Sequence, residues 1–139
     1  SFDKRMDVLQ HLENEVAKIA HRPSCVVVSQ SLGEGHYGFY EQGTNCITIN
    51  EDYVKSADCY EDVLDTLIHE GRHAYQDYNL NVRETHPRHG EVANWNLNEF
   101  YGYQDVENCG FKAYAMQPME TDARAFAEDV LKCYQEKTA

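Results

Sequence analysis

The chain reads His69-Glu70-Gly71-Arg72-His73 near its middle, in a segment whose apolar residues recur at helical spacing. On an α-helix, residues four positions apart lie one above the other on the same face. Both imidazoles can therefore point at one metal ion, while Glu70 stays free to act as a base. The spacing predicts a metal-binding helix with His69 and His73 as ligands.

The HExxH pattern is the signature that zinc metallopeptidases carry on a helix. Roughly 0.03 accidental matches are expected in a chain of this composition. The alternative interpretation is an exposed helical face with two solvated histidines. Zinc lowers the pKa of bound water only to about 7, so a carboxylate is needed to take its proton. We therefore predict that His69 and His73 bind Zn²⁺ and that Glu70 is the catalytic base.

The surrounding residues predict an amphipathic, central helix over about residues 59–78. Asp58 and Glu61 have the spacing of a capping box, which would start this helix. Gly71 costs about 1 kcal/mol relative to Ala inside a helix, so we expect another element or a substrate to approach it closely. The apolar stripe consists of Val63, Leu64, Leu67, Ile68, Ala74, Tyr75 and Tyr78.

The remaining pattern predicts an α+β fold in a single domain over residues 1–139, with helices packed on a small mixed sheet. We expect an opening helix over 2–20, a strand over 25–28 and a hairpin that joins 38–41 to 46–50. Residues 79–90 and 104–110 are predicted as breaks on either side of a helix that contains Trp95. A last helix follows Pro118.

Composition narrows the classes of partner and function. A net charge of −12 argues against nucleic acid as a partner. No run of 18 apolar residues exists, so no membrane-spanning segment is predicted. The five cysteines are widely spaced and odd in number, which favours buried free thiols in a domain that acts in a reducing compartment. The alternative is a disulfide framework that leaves one thiol over. The cysteines are Cys25, Cys46, Cys59, Cys109 and Cys133.

Catalytic zinc usually takes three protein ligands, so a third must come from elsewhere in the chain. The short metzincin continuation is absent, because Gln76 and Asn79 stand where its Gly and His would be. Glu120 is better placed than the loop histidines, because it lies in the first turn of the last predicted helix, a rigid carrier for a ligand. A favourable interaction with the helix dipole is the alternative explanation of its position, and composition does not decide between the two. The candidates are Glu120, Asp122, His86, His89, Glu91 and Glu99.

A second motif resembles a known family. The run Glu120-Thr121-Asp122-Ala123-Arg124-Ala125-Phe126-Ala127 is similar to the ExxANxFA helix of ImmA/IrrE-type zinc peptidases. The resemblance implies that Glu120 is the third zinc ligand and that the fold is a compact, minimal zincin of the gluzincin type. Arg124 departs from the family, which usually has Asn there.

The chain also resembles, in size and architecture, the small metallopeptidase toxin domains of bacterial polymorphic toxins. That resemblance implies a zinc endopeptidase that cleaves a specific protein or peptide and has a cognate inhibitor or immunity protein. The chain starts at Ser1 without Met, so we expect secretion or delivery within a larger protein and action in a target-cell cytoplasm. The alternatives are a catalytically degenerate zincin that binds a protein, and a hydrolase of another bond.

The sequence offers several candidate residues for each of two further roles, the oxyanion donor and the partner of a ligand imidazole. The oxyanion of the reaction needs a hydrogen-bond donor, and carboxylates that accept from the ligand imidazoles would hold them in the correct tautomer. We expect substrate to add to the edge of the strand over 46–50. The oxyanion candidates are Tyr75, Tyr101, Tyr103, Tyr114, His86 and His89, and the carboxylate candidates are Asp65, Asp77 and Asp122.

Overall fold

The computed structural model describes residues 1–138, and within them it has six α-helices and one three-stranded sheet. The predicted α+β class, with helices on a small mixed sheet, is confirmed. None of the helices in this range combines the length and the apolarity needed to cross a bilayer. In chain order the elements are α1 (Phe2–Ala20), β1 (Val26–Gln30), β2 (Gly38–Glu41), β3 (Cys46–Asn50), α2 (Glu51–Lys55), α3 (Tyr60–Asn81), α4 (His89–Tyr101), α5 (Val106–Met116) and α6 (Pro118–Thr138).

The sheet has β3 in its centre, parallel to β1 and antiparallel to β2. Ile47 and Ile49 are fully buried, as expected for a strand that is paired on both sides. The prediction that this strand forms the open edge is therefore wrong. The hairpin pattern showed the pairing with β2, but the parallel pairing with the Val-rich β1 is a long-range contact that no local pattern indicates. The open edges are β1 and β2.

Helix α3 carries the HExxH motif and is central, as predicted. It packs against α1, α4, α6 and strands β2 and β3, with Leu64, Leu67 and Ile68 almost fully buried. The predicted capping box is absent. A short 3₁₀ helix, Ala57–Cys59, leads directly into α3, and no side chain caps the helix.

Gly71 is a point of close approach, which confirms the reason predicted for a glycine in this helix. A Cβ at this position would lie 2.7 Å from Nη2 of Arg22 and 3.2 Å from Oε1 of Glu13. These two side chains form a buried ion pair, with Nη1–Oε2 and Nη2–Oε1 distances of 2.7 and 2.8 Å. The Cys25 amide also donates to Glu13 at 2.6 Å. The second half of α1 and the connection from α1 to β1 therefore approach α3 inside the motif.

The C-terminal half contains more helix than predicted. Helix α3 continues to Asn81, α4 starts at His89, and α5 occupies much of the predicted break over 104–110. Asp105 caps α5 by accepting from the Asn108 amide, and the helix bends at Gly110, whose φ is 81°. Helix α5 buries none of its residues, so it lacks the apolar periodicity from which a helix is predicted.

All five cysteines are free thiols, as predicted, but the prediction that they are buried is wrong for most of them. Only Cys25 is buried, whereas Cys109 and Cys133 are exposed.

Candidate metal centre

Helices α3 and α6 bring His69, His73 and Glu120 together. Both histidines lie on α3, and the glutamate lies in the first turn of α6. Nε2 of His69 lies 3.1 Å from one oxygen of Glu120, and Nε2 of His73 lies 3.0 Å from the other. The glutamate is 1% exposed and each histidine side chain is 16% exposed. A carboxylate from α6 thus lies against both imidazoles of α3, as the resemblance implied for the third ligand.

The three side chains fit a zinc ion. Two imidazole nitrogens and a carboxylate oxygen are donors that zinc prefers, and ligand atoms about 2.1 Å from a tetrahedral ion lie about 3.4 Å apart. The observed separations of 3.1 and 3.0 Å are close to that spacing, although each imidazole faces a different oxygen of Glu120. Within the described residues, the group of possible ligand atoms that all lie within 4.8 Å of one another is that of His69, Glu70 and His73. Glu70, like Glu120, is therefore close to where the two imidazoles would hold an ion.

The electrostatics of the cluster favour bound positive charge. Burial alone would raise the pKa of Glu120, but hydrogen bonds and charge from His69 and His73 hold it well below its usual range. Burial alone would lower the pKa of His73, but Glu120 and the charge of Glu70 raise it to about 9. The site therefore places the carboxylates of Glu120 and Glu70 beside two imidazoles, an arrangement that a bound divalent cation would stabilise.

Gln76 orients His73, a role that the sequence analysis missed. Its Nε2 donates to the carbonyl of Met119 and to Asp122, both at 2.9 Å. Both partners can only accept, so Oε1 of Gln76 must face Nδ1 of His73, 2.8 Å away. Nδ1 therefore carries the proton, and Nε2 is directed at Glu120 and the metal centre. The only sequence signal was a glutamine three residues after the second histidine.

Asp122 acts behind this amide and is not a ligand. Arg72 holds it through two hydrogen bonds, Nε–Oδ2 at 2.8 Å and Nη2–Oδ1 at 3.2 Å. The guanidinium of Arg72 lies over the rings of Tyr75 and Phe126, at 4.2 and 4.4 Å from their centroids. The carboxylate is thereby committed to Arg72 and Gln76, and its predicted role in orienting an imidazole operates indirectly.

The other ligand candidates lie apart from this cluster or at its margin. His86 is engaged by the Tyr75 hydroxyl and by Glu91, at 2.8 and 2.7 Å. His89 pairs with Glu84 on the surface. Glu99 lines the cavity beside the cluster without touching either imidazole.

Glu70 lies beside the ligands with its carboxylate held by a strand. Its Oε1 accepts a hydrogen bond from the main-chain N–H of Tyr40 at 2.9 Å. Burial raises the pKa of Glu70, an effect that the charges of His73 and His69 and this hydrogen bond oppose. A carboxylate with a raised pKa beside a metal centre is suited to exchange a proton with water.

The cluster opens into a cavity of about 450 Å³. Glu70, His73 and Glu120 form part of its wall, together with Tyr103 and Tyr114 from the α4–α5 region. The Tyr103 hydroxyl donates to Glu120 at 2.9 Å. These two are the only oxyanion candidates of the described chain that line the cavity. Tyr75 is bonded to His86, Tyr101 is 82% exposed, and His89 is on the surface.

Comparison of the chain with protein-family models, curated proteins and solved structures finds no match in any of the three. The resemblance to ImmA/IrrE-type peptidases therefore rests on the two short motifs and stays a prediction.

Proposed function

We propose that this domain is a zinc-dependent endopeptidase. One observation carries the proposal: a buried carboxylate from a distant helix contacts the Nε2 atoms of both motif histidines, at 3.1 and 3.0 Å, beside the motif glutamate. Two solvated histidines on an exposed face would not be paired with a buried carboxylate such as that of Glu120. A site with only a structural role would have no need of Glu70.

The residues divide into ligands and a proton carrier. His69, His73 and Glu120 would hold the zinc ion, which when bound supplies a Lewis acid and makes water acidic enough to react near neutral pH. Glu70 takes the proton of the attacking water and passes it to the leaving amine. Tyr103 and Tyr114 are hydrogen-bonded to Glu120, so each would have to turn from that carboxylate to donate to the oxygen of the carbonyl under attack.

The cavity favours an extended polypeptide as substrate. Strand β2 is an open edge, and Gly38, Phe39 and Tyr40 line the cavity. The Tyr40 amide faces away from β3, because it bonds to Glu70. Main-chain groups alternate in direction along an antiparallel strand, so those of Gly38 face the same way. A substrate strand can pair with the main-chain groups of Gly38 at this edge and place its carbonyl near Glu70, which itself holds the Tyr40 amide.

The decisive experiment compares the wild type with Glu70→Gln on a complex protein mixture, with elemental analysis of both. We expect one zinc per chain in each, and cleavage that falls by about 10²–10⁴-fold in the variant. His73→Ala should lose zinc. Zinc binding without cleavage by the wild type would favour the alternative of a catalytically degenerate zincin that binds a protein partner. Products with other broken bonds would indicate a different hydrolase.

A further inference from the structure

One residue of strand β2 holds two carboxylates of α3. The main-chain N–H of Tyr40 donates to Glu70 at 2.9 Å, and its hydroxyl donates to Asp77. Asp77 also accepts from the Gly43 amide in the hairpin turn, at 3.2 Å, and from Asn81 of its own helix at 2.6 Å. The hairpin is therefore fastened to α3 at both its strand and its turn.

The spacing along the helix makes this fastening specific. Glu70 and Asp77 are seven residues apart, which is about two turns, or about 10 Å, on the same helical face. Tyr40 spans that interval with its backbone at one end and its phenol oxygen at the other. With a different residue here the strand would still meet Glu70, but the Gly43 amide alone would link the hairpin to Asp77.

Strand β2 needs such a link, because the sheet holds it on one side only. It has four residues, and its other side faces the cavity. The Glu70 side chain has three rotatable bonds, and the Tyr40 amide is the hydrogen-bond donor that fixes its direction. A shift of the strand would therefore move the carboxylate.

We propose that Asp77 is a positioning residue: by binding the Tyr40 hydroxyl and the Gly43 amide, it fixes β2 on α3 so that the Tyr40 N–H directs Glu70 into the cavity. The effect of this clamp on catalysis rests on the proposed peptidase function. The clamp itself does not, since none of its hydrogen bonds involves a metal ligand.

Amide hydrogen exchange of the full chain without metal, followed by NMR, tests the clamp directly. We expect the residue 40 amide to exchange at least tenfold faster in Asp77→Ala, although Asp77 is not its partner, and also faster in Tyr40→Phe, which keeps the amide. Asp77→Asn keeps an acceptor oxygen and should restore slow exchange. Tyr53→Phe is the matched control, because it removes a hydroxyl that accepts from the Gly35 amide at 2.7 Å outside the clamp.

An unchanged residue 40 amide in both Asp77→Ala and Tyr40→Phe would overturn the proposal. Slow exchange at Leu67 and Ile68 in α3 shows that a variant is folded. If Asp77→Ala does not fold, Tyr40→Phe decides alone, because it removes a single oxygen atom.

The catalytic half of the proposal has its own readout. In Asp77→Ala we expect kcat to fall at least tenfold while KM and zinc affinity stay as in the wild type. A raised KM with unchanged kcat would mean that Asp77 contacts substrate, and would overturn the positioning role. Failure of the wild type to cleave would refute the peptidase proposal, and the amide exchange would still decide the clamp.

Discussion

At the scale of single residues, the amide of Gln76 decides which nitrogen of His73 faces the metal centre. We predict that Gln76→Ala lowers zinc affinity by about 10–100-fold, the usual effect of losing a partner of a ligand imidazole. Competition with a chromophoric chelator measures the affinity. Gln117→Ala is the matched control, since Gln117 is also buried and bonded, to Asn98 and Gln104, but touches no ligand. Equal zinc affinity in both variants would contradict the role of Gln76.

Cys25 is a residue whose chemistry the fold changes. Burial, with Glu13 nearby, raises the pKa of its thiol to about 12. The folded state therefore favours the protonated thiol. Its stabilising contribution is full below the unfolded pKa, near 9, and is lost as pH rises toward 12.

We predict that alkylation at pH 8.5 labels the exposed Cys109 and Cys133 and leaves Cys25 unlabelled until urea is added. Mass spectrometry of the labelled peptides, with and without urea, identifies the cysteines that react. Rapid labelling of Cys25 in the folded chain would show that it is neither buried nor protonated.

At the scale of elements, the close approach of Glu13 and Arg22 to Gly71 of α3 predicts what an added methyl group at residue 71 would do. Gly71→Ala should destabilise the fold by about 1–2 kcal/mol, because overpacking costs about 1–3 kcal/mol and exceeds the gain of up to about 1 kcal/mol in helix propensity. The guanidinium of Arg22 cannot move away cheaply, since it is buried and bonded to Glu13.

Urea unfolding measures this difference. Gly90→Ala, in the first turn of α4, is the control, because a Cβ there meets nothing within 4 Å. That variant should be neutral or slightly more stable. The packing argument fails if both substitutions have the same effect.

Elements with a strong local pattern were predicted well. The apolar periodicity of α1, α3 and α6 and the glycine-bounded hairpin are properties of neighbouring residues, and so is the HExxH spacing. The order of strands, which makes β2 the open edge, depends on the pairing of β1 with β3 across about twenty residues. Helix α5 escaped prediction because it lacks a buried face.

The site shows the same division between local and long-range information. His69, Glu70 and His73 followed from spacing, and Glu120 required a resemblance, because its contact with the histidines joins two helices about fifty residues apart. Gln76 and the Tyr40 amide were missed. Gln76 acts through its side-chain oxygen, and no sequence motif marks a glutamine in this role. Tyr40 acts through its main-chain N–H, a group that every residue except proline possesses.

At the scale of the whole molecule, the toxin or effector role is a proposal that rests on the resemblance to polymorphic toxin domains. We predict that expression in bacterial cytoplasm inhibits growth and that Glu70→Gln does not, because the variant keeps the fold and the ligands but lacks the base. Growth curves at matched expression, in several hosts, measure the effect. Equal growth would remove the toxin proposal and leave the peptidase proposal to its own test.

The ion pair between Glu13 and Arg22, beside Gly71, predicts what happens when the chain is shortened from its N-terminus. Glu13 and Arg22 lie against Gly71, in the turn of α3 that carries Glu70 and both histidines, so the N-terminal segment packs behind that turn. A shortened gene product that starts after α1 would still contain both sequence motifs. It would lack Glu13 and leave Arg22 without its buried partner, so two chains with identical motifs would differ in how the motif turn is packed.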